Sequence, residues 1–293
     1  MNIELTKYHQ RFQKVLDYID RHLNDDLSLD VLSQLAAFSK FHFQRQFSEL
    51  FGIGVYKYIQ LCRLKRASYQ LAFRDGQQVI EIALANAYGG PASFSRAFKK
   101  SFGQSPMAFR HNPQWTPWFE SYQTIFHLRR NQMPYENQTG QVRIVDFSEI
   151  KLAVLEYKGD PKFVGNSIRK FIQWRKEHHL NPQNSATFNI LYNDPEAVAA
   201  EDYRIDICVA TDKAIAANDQ GVIPKTIPAG RCAVLRHFGS DDKLKTSIQI
   251  LYADWLPQSG EELREFPMFL QRVKFFPDVA ENEAVTDVYL PLK

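Results

Sequence analysis

The sequence predicts a multidomain chain: an all-α domain with two helix-turn-helix units, then an α+β domain of two pseudo-symmetric βαββ halves. Two internal repeats support this fold class. The stretch FQRQFSELFG at 43–52 returns as FSRAFKKSFG at 94–103, and AVLEYKG at 153–159 returns as AVLRHFG at 233–239. Internal repeats fix the architecture of a chain, so these two define its two domains. The length of 293 residues also suits two domains.

The first 112 residues predict seven helices. Apolar residues recur there at helical spacing, Ser28 and Ser39 stand where N-caps are expected, and Gly52 and Gly103 stand where helices end. The predicted helices cover about 7–23, a short stretch after Ser28, 40–51, 55–73, 79–88, 91–102 and a short stretch from about 105.

Both repeated helices are amphipathic and follow a short helix across a tight turn. That arrangement, with a basic outer face, is typical of helix-turn-helix motifs that bind DNA. One basic amphipathic helix is as often a solvated surface, but two copies 94 − 43 = 51 residues apart favour nucleic-acid binding. The buried stripes should be Phe43, Phe47, Leu50 and Phe51 in the first copy and Phe94, Phe98 and Phe102 in the second. The outer faces should carry Phe41, Gln44, Arg45 and Ser48, then Ala92, Ser93, Arg96, Lys99 and Lys100.

Charge is distributed unevenly along the chain. Residues 1–112 contain 15 Lys and Arg against 9 Asp and Glu, a balance of +6, and the remainder carries 21 − 24 = −3. A basic first domain and an acidic second domain predict that only the first meets a polyanion. The connecting helix of about 18 residues would span ~27 Å, comparable with the ~34 Å between successive major grooves on one DNA face. One chain could therefore reach both grooves.

Residues 7–112 resemble the DNA-binding domain of AraC/XylS-type transcription regulators of the MarA/Rob kind. The resemblance is carried by SKFHFQRQFSELFG, YIQLCRLKRA and IEIALANAYGGPASFSRAFKKSFGQSPMAFR. It implies double-stranded DNA as the partner. It implies base-reading positions at Phe41, Gln44 and Arg45, then Ala92, Ser93 and Arg96. We expect phosphate contacts from Lys40, Lys99, Lys100 and Arg110.

A linker is expected at 113–141, between domains at 1–112 and 142–293. Residues near 113–118 and 131–141 are rich in Pro, Asn and Gln, which indicates linker. WFESYQTIFHLRR between them could be a helix or an extended docking segment, and the sequence leaves both open.

The second domain predicts strands and helices in repeated order. IVDFSEIKLAVLEYKGD reads as a β-ribbon, and a helix follows each copy of the repeat, at 163–179 and 243–256. Two strands should follow each helix: ATFNILY and YRIDICVA, then MFLQRVKF and VTDVYLPL. The two halves should pair about a pseudo-two-fold axis, with helices on one face of the sheet and a cleft on the other.

This half resembles GyrI-like small-molecule-binding domains. The resemblance is carried by LYNDPEAVAAEDYRIDICVAT, IPAGRCAVLRHFGS, LYADWLPQSGEELREFP and EAVTDVYLPLK over about 142–293. It implies an effector-binding cleft that in relatives receives amphipathic, often cationic molecules beside an acidic residue. FPMFLQRV departs from that pattern, because it places Leu270 at the acid position and Arg272 at a tyrosine position.

Candidate pocket residues follow from the resemblance, and each aromatic among them could equally be ordinary core. Glu156 could replace the missing acid if its strand faces the cleft. The candidates are Glu156, Tyr157, Trp174, Tyr192, His237, Trp255, Phe269 and Leu270. A buried cation without a carboxylate is costly, which makes a cationic effector doubtful.

The sequence contains no catalytic spacing, phosphate loop or metal motif, so we expect neither an enzyme nor a cofactor. Three scattered Cys indicate a reducing compartment, and the N-terminus lacks a signal-like apolar region, so a soluble cytoplasmic protein with no membrane contact is expected. Two alternatives stay open. The second domain could dock a protein such as RNA polymerase or gyrase, or it could be a hydrolase of small molecules.

Overall fold

The structure is a computed structural model that describes residues 3–131 and 142–293. Most of the expected linker segment at 131–141 lies outside the described residues. The chain divides into two compact units, one of Met1–Glu136 with Phe276–Asn282 and one of Asn137–Phe275 with Glu283–Lys293.

The first unit is helical, as predicted. Its helices are α1 (Ile3–Arg21), α2 (Leu29–Leu35), α3 (Lys40–Phe51), α4 (Val55–Phe73), α5 (Val79–Ala85), α6 (Pro91–Phe102), α7 (Pro106–His111) and α8 (Trp115–Asn131). The α2–α3 and α5–α6 pairs are the two helix-turn-helix units, and α4 connects them.

The repeated helices owe their ends and their buried faces to the repeated residues. The phenylalanines predicted for the stripes are all buried, whereas Leu50 is only half-buried. The Ser39 hydroxyl caps α3 by accepting from the His42 amide at 3.4 Å. Gly52 and Gly103 end the two helices with φ of 69° and 73°, in the left-handed region that favours glycine. The two buried Phe faces then pack into one shared core.

Helix α8 settles the alternative that the sequence left open. It is a helix, and its inner face packs into the core of the first unit through Trp115, Trp118, Tyr122 and Ile125. The linker expectation for 113–118 is therefore wrong from Trp115 onward. The Pro, Asn and Gln that suggested a linker surround two tryptophans, and the burial of these large apolar side chains outweighs the local composition.

The second unit contains one eight-stranded antiparallel sheet with helices. Its elements are β1 (Arg143–Phe147), β2 (Ile150–Lys158), α9 (Val164–Glu177), β3 (Thr187–Leu191), β4 (Arg204–Ala210), β5 (Val222–Ile227), β6 (Gly230–Phe238), α10 (Leu244–Gln249), α11 (Leu256–Ser259), β7 (Phe269–Lys274) and β8 (Val285–Pro291). Ile250–Trp255 joins α10 to α11 as a π-helical turn. Pro257 follows this turn and lacks the amide that a regular helix would use there.

The strand order is β1-β6-β8-β7-β3-β4-β2-β5. The expected ribbon of β1 with β2 is wrong, because β1 pairs with β6 and β2 pairs with β4 and β5. Each half thus gives its leading strand to the other half. Alternating hydrophobicity identified the strands, but it carries no information about which strand accepts which partner.

The sheet must curl for these connections to close. Only Ser148 and Glu149 separate β1 from β2, although the two strands lie near opposite ends of the sheet order. Three Cα steps span at most about 11 Å. The inner face of the curled sheet holds an apolar cluster from both halves, including Phe147, Phe188 and Phe269. The outer face carries α9 over one half and α10–α11 over the other.

Candidate functional site

The outward face of α3 is exposed and carries a large apolar side chain. Phe41 is 85% exposed although it is a large apolar side chain. Gln44 and Arg45 lie near it on the same helix and are exposed, while Phe43 and Phe47 on the opposite side of the helix are buried. The buried stripe fixes the helix against the core, and the three exposed side chains therefore point away from it.

The outward face of α6 is more basic and has shorter side chains at its start. Ala92, Arg96, Lys99 and Lys100 are exposed. The Ser93 hydroxyl donates to the Gly90 carbonyl at 2.9 Å and is half-buried, so it already serves the helix start. Of the positions predicted to read bases in this helix, Arg96 has the longest exposed polar side chain.

The predicted phosphate contacts differ in accessibility. Lys40 is exposed and forms an ion pair with Asp30 of α2. Arg110 is half-buried, and two of its guanidinium nitrogens are enclosed by protein. Lys40, Lys99 and Lys100 are therefore more accessible than Arg110.

A cluster of four charged side chains lies inside the first unit, and the sequence gave no expectation of it. Arg129 of α8 contacts Asp20 of α1 at 2.6 Å and Glu281 at 2.7 Å. Lys65 of α4 also contacts Glu281, and all four side chains are at most 8% exposed. Burial raises the pKa of Asp20 to about 6, although Arg129 opposes the shift. Each charge came from a different helix or segment, so no local spacing could reveal the cluster.

The inner face of the curled sheet carries an ion cluster in its first half. Lys225 contacts Glu156 and Asp206 at 2.6 Å each, and the Tyr192 hydroxyl donates to Asp206 at 2.9 Å. Burial alone would lower the pKa of Lys225, but the hydrogen bonds to Asp206 and Glu156 outweigh it and raise that pKa. The hydrogen bond from Lys225 lowers the pKa of Glu156. Glu156 is thus an ion-pair partner.

The second half repeats this arrangement with different residues. Arg236 forms a two-pronged pair with Asp287 at 2.7 and 2.8 Å. Arg236 stands 236 − 156 = 80 positions after Glu156, the offset of the strand repeat. Asp206 and Asp287 were missed as site residues, yet each occupies the third position of its half's last strand. A carboxylate at the third position of two mainly apolar strands was the available signal.

The outer face beneath the helices holds Leu270 and Arg272. Leu270 is 1% exposed and packs in the apolar cluster with Leu251 and Val288. Arg272, two residues along the same strand, donates to Asn189 at 3.1 Å and to Thr286 at 3.3 Å, and contacts the exposed Asp241 at 2.5 Å. An apolar residue and a cation therefore share the outer face of β7.

The eight candidate pocket residues do not converge on one face. Strand parity and contacts place three on the inner face, namely Glu156, Tyr192 and Phe269. Five belong to the outer face or its helices, namely Tyr157, Trp174, His237, Trp255 and Leu270. The expectation of a common cleft opposite the helices is wrong for these five, because alternate residues of a strand point to opposite faces.

Several of these candidates have structural roles. His237 is fully buried and bonds to the Ser247 hydroxyl at 2.8 Å and the Ser240 carbonyl at 3.0 Å. Phe269 stacks on Tyr289 with ring centroids 4.8 Å apart. Trp174 is 1% exposed within the cluster under α9, where it stacks on Phe171.

Within the described residues, no helix has the length and apolar character needed to cross a membrane. The same part of the chain contains no group of three or more His, Cys, Asp or Glu that could hold a metal ion.

Comparisons with known proteins agree with the two-part organisation. Residues 140–293 match the family described as GyrI-like small molecule binding domain, and residues 32–112 match a helix-turn-helix domain family of AraC type. The probable transcriptional regulator YgiV of Escherichia coli (strain K12) is 38% identical over 157 residues, which cover 53% of this chain and 98% of that protein.

Two further proteins are similar over other shares of the chain. The right origin-binding protein of Escherichia coli (strain K12) is 34% identical over 102 residues, which cover 35% of each chain. The cryo-electron microscopy structure of an EcmrR–DNA complex aligns with 89% of this chain and 84% of its own, at 13% identity and a TM-score of 0.45. The matched family covers more than half of the chain, and with the helix-turn-helix match ahead of it, the chain belongs to the GyrI-like family as a transcriptional regulator whose DNA-binding domain is of AraC type.

Proposed function

We propose that α3 and α6 enter successive major grooves of one DNA duplex, so that a single chain reads one asymmetric site. The observation that carries this proposal is the pair of helices with buried Phe stripes and exposed polar faces, both packed in one core. Helix α4 between the two units has 19 residues, about 28 Å at the rise of an α-helix. With the helix ends added, that length suits a groove repeat of roughly 34 Å.

The exposed side chains of α3 suit direct base readout. Arg45 can donate two hydrogen bonds to a guanine edge, and Gln44 can pair with an adenine edge. Phe41 can contact a thymine methyl group, which explains why so large an apolar side chain is left 85% exposed. In α6, Arg96 supplies base contact, while Lys99 and Lys100 contact phosphates and add affinity without sequence preference.

Selection from a randomised duplex library tests this proposal. The full chain should recover an asymmetric site with two blocks of preferred bases about ten base pairs apart. One chain should bind each duplex, as measured by sedimentation or native mass spectrometry. Recovery of palindromic sites occupied by two chains would overturn the single-chain arrangement.

We also propose that the effector of the second unit is a neutral or anionic aromatic molecule. Three features support this choice. Leu270 stands where relatives carry an acid and is packed in apolar surroundings. Arg272 lies two residues along on the same face with its side chain 21% exposed, and its ion-pair partner Asp241 is itself 62% exposed, so that pair is open to water. Glu156 lies on the opposite face and is already paired with Lys225. Burying a cation among these groups would carry an unfavourable desolvation free energy of several kcal/mol.

A matched set of naphthalene compounds tests the charge preference. Isothermal titration of the full chain should give tighter binding for 2-naphthoate and 2-naphthalenemethanol than for 2-naphthylmethylammonium. Arg272→Gln should weaken naphthoate binding and leave the neutral alcohol unchanged. Tighter binding of the ammonium compound, lost in Glu156→Gln, would show instead that Glu156 acts as the acid.

A further inference from the structure

The segment Phe276–Asn282 packs in the first unit but connects two strands of the second. Its contacts place it in the first unit with the helices. Its chain connections are to the second unit, because it leaves β7 after Lys274 and returns to β8 at Val285. Such a segment can carry a displacement or a change of stability along the chain.

The contacts of this segment concentrate on α4, the helix between the two helix-turn-helix units. Asp278 makes a two-pronged ion pair with Arg74, at 2.8 and 2.6 Å, just beyond the end of α4. The ring of Phe276 meets that of Tyr69 edge-on at 5.1 Å between centroids. The short segment thus contacts α4 at Tyr69 and the residue that follows the helix, Arg74.

Glu281 anchors the segment more deeply. Its carboxylate contacts Lys65 of α4 and Arg129 of α8, and Arg129 in turn contacts Asp20 of α1. Asn282 also donates to the Asp17 carbonyl of α1 at 3.3 Å. Removing one member of a buried ion pair leaves the other charge poorly compensated, so the anchor resists small rearrangements. Three helices therefore share the position of one segment.

The two ends of the segment connect to strands β7 and β8 of the second unit. Strand β7 carries Leu270 and Arg272 on its outer face and Phe269 on its inner face. Strand β8 carries Asp287 and Tyr289, and the two strands pair from Phe269↔Tyr289 to Lys274↔Val285. A molecule bound against either strand acts on residues within about ten positions of the anchor.

We infer that Phe276–Asn282 couples DNA binding by α3 and α6 to the state of strands β7 and β8, by fixing α4 and those strands to one anchored segment. This inference rests on the proposed function, in which α4 sets the separation of two DNA-reading helices. Coupling free energies between sites are reciprocal, so DNA itself can serve as the probe and no effector is needed.

Hydrogen exchange of the full chain, with and without a duplex selected by the wild-type protein, tests the coupling. DNA should protect the amides of α3. It should also slow exchange in β7 and β8 by about fivefold or more, the lower end of usual allosteric coupling. A second variant has Gly-Ser-Gly inserted after Phe275 and after Glu283, which slackens the connections and keeps the anchor contacts. In that variant α3 should still be protected, and the effect on β7 and β8 should be lost.

Each outcome has a defined meaning. Protection of α3 with unchanged strands in the wild type, or an undiminished strand effect in the slackened variant, overturns the coupling. Absence of α3 protection contradicts the proposed function instead, and a DNA-free comparison then decides the coupling. Glu281→Gln should speed exchange both in α4 and in β7–β8, relative to the exposed control Glu262→Gln. Faster exchange in α4 alone would overturn it.

Discussion

The two helix-turn-helix units share one pattern of buried phenylalanines but hold their turns in different ways. In the α2–α3 pair, Ser39 caps α3 and the residue after α2 is Ala36, which is fully buried. In the α5–α6 pair, Gly90 provides no side-chain cap, and the residue after α5 is Asn86. Asn86 is fully buried and hydrogen-bonds with Gln70 and Arg66, which both belong to α4.

The difference shows that the repeat constrains the core more strongly than the turn. The second turn is one residue longer, since Ala37 and Ala87 are 50 positions apart and the phenylalanine stripes 51. Without a serine cap, α6 is positioned by a buried amide network from α4. The α2–α3 pair thus combines a locally capped helix with the long exposed side chains that we propose read bases. The α5–α6 pair combines a turn held through α4 with mainly basic exposed side chains.

The largest expected effect is on the hydrogen-bond network behind the α5–α6 pair. Asn86→Ala removes hydrogen bonds with Gln70 and Arg66 in a buried site, and should destabilise the whole helical unit by about 3 kcal/mol. Chemical denaturation with hydrogen exchange in α5 and α6 would measure it. Ser93→Ala, which removes one local hydrogen bond, is the matched control and should cost only about 0.5 kcal/mol. Equal losses in both variants would mean that the network does not position the second turn.

The next effect concerns DNA specificity. Arg45→Ala should weaken binding to the selected duplex by about 2 kcal/mol and binding to random duplexes much less, as for a lost base contact. Lys99→Ala should weaken both duplexes by a few-fold and reduce the salt slope by about one. Titrations at several salt concentrations separate the two. Equal losses on both duplexes for Arg45→Ala would remove the distinction between a base-reading helix and a phosphate-binding helix.

A smaller effect is expected at the helix cap. Ser39→Ala should lower the free energy of unfolding by about 1 kcal/mol, because the His42 amide loses its acceptor. Helix α6 has no equivalent side chain to lose. Thermal unfolding of Ser39→Ala beside Ser105→Ala, which removes the cap of α7 at 3.2 Å, would compare two caps in one core. An unchanged melting temperature for Ser39→Ala would show that α3 does not depend on its cap.

The smallest effect on stability should be the same in both helix-turn-helix pairs. Ala37 and Ala87 adopt left-handed φ angles of 54° and 57°, which are unfavourable for any residue with a Cβ atom. Replacing either by Gly should stabilise the first unit by about 0.5 kcal/mol, after the entropy of the unfolded glycine is subtracted. Differential scanning calorimetry of both variants would test it. A gain at one position only would reveal a difference between turns that look alike.

The sequence was informative wherever a feature is local. The stripes of Phe43–Phe51 and Phe94–Phe102, the Ser39 cap and the Gly52 end depend on neighbours within one helix, and the structure confirms them. The exchange of β1 and β5 between the sheet halves depends on pairing across the domain, and no local pattern encodes it. The linker prediction around Trp115 and Trp118 failed for a related reason. Local composition does not show that these side chains pack against residues distant in sequence.

The candidate pocket was the weakest prediction for the same reason. Face assignment follows from strand register, and register needs the pairing partners that only the structure supplies. Leu270 and Arg272 were found from their departure from a family pattern. Asp206, Lys225 and Glu281 were not found, because their partners lie in elements far apart in sequence.

The exchange of leading strands sets an order of events during synthesis. Strand β1 pairs Arg143 with Val234, which is 234 − 143 = 91 residues later. Until β6 has left the ribosome, β1 has no partner, and its unpaired edge is available to other chains. Contacts this distant in sequence also slow folding, because the entropy of closing a long loop is lost before the contacts that offset it can form. The second unit should therefore fold only after β6 and the strands that pair with it are made. The helices α1–α8 of the first unit can pack earlier, except for the contacts that await Phe276–Asn282.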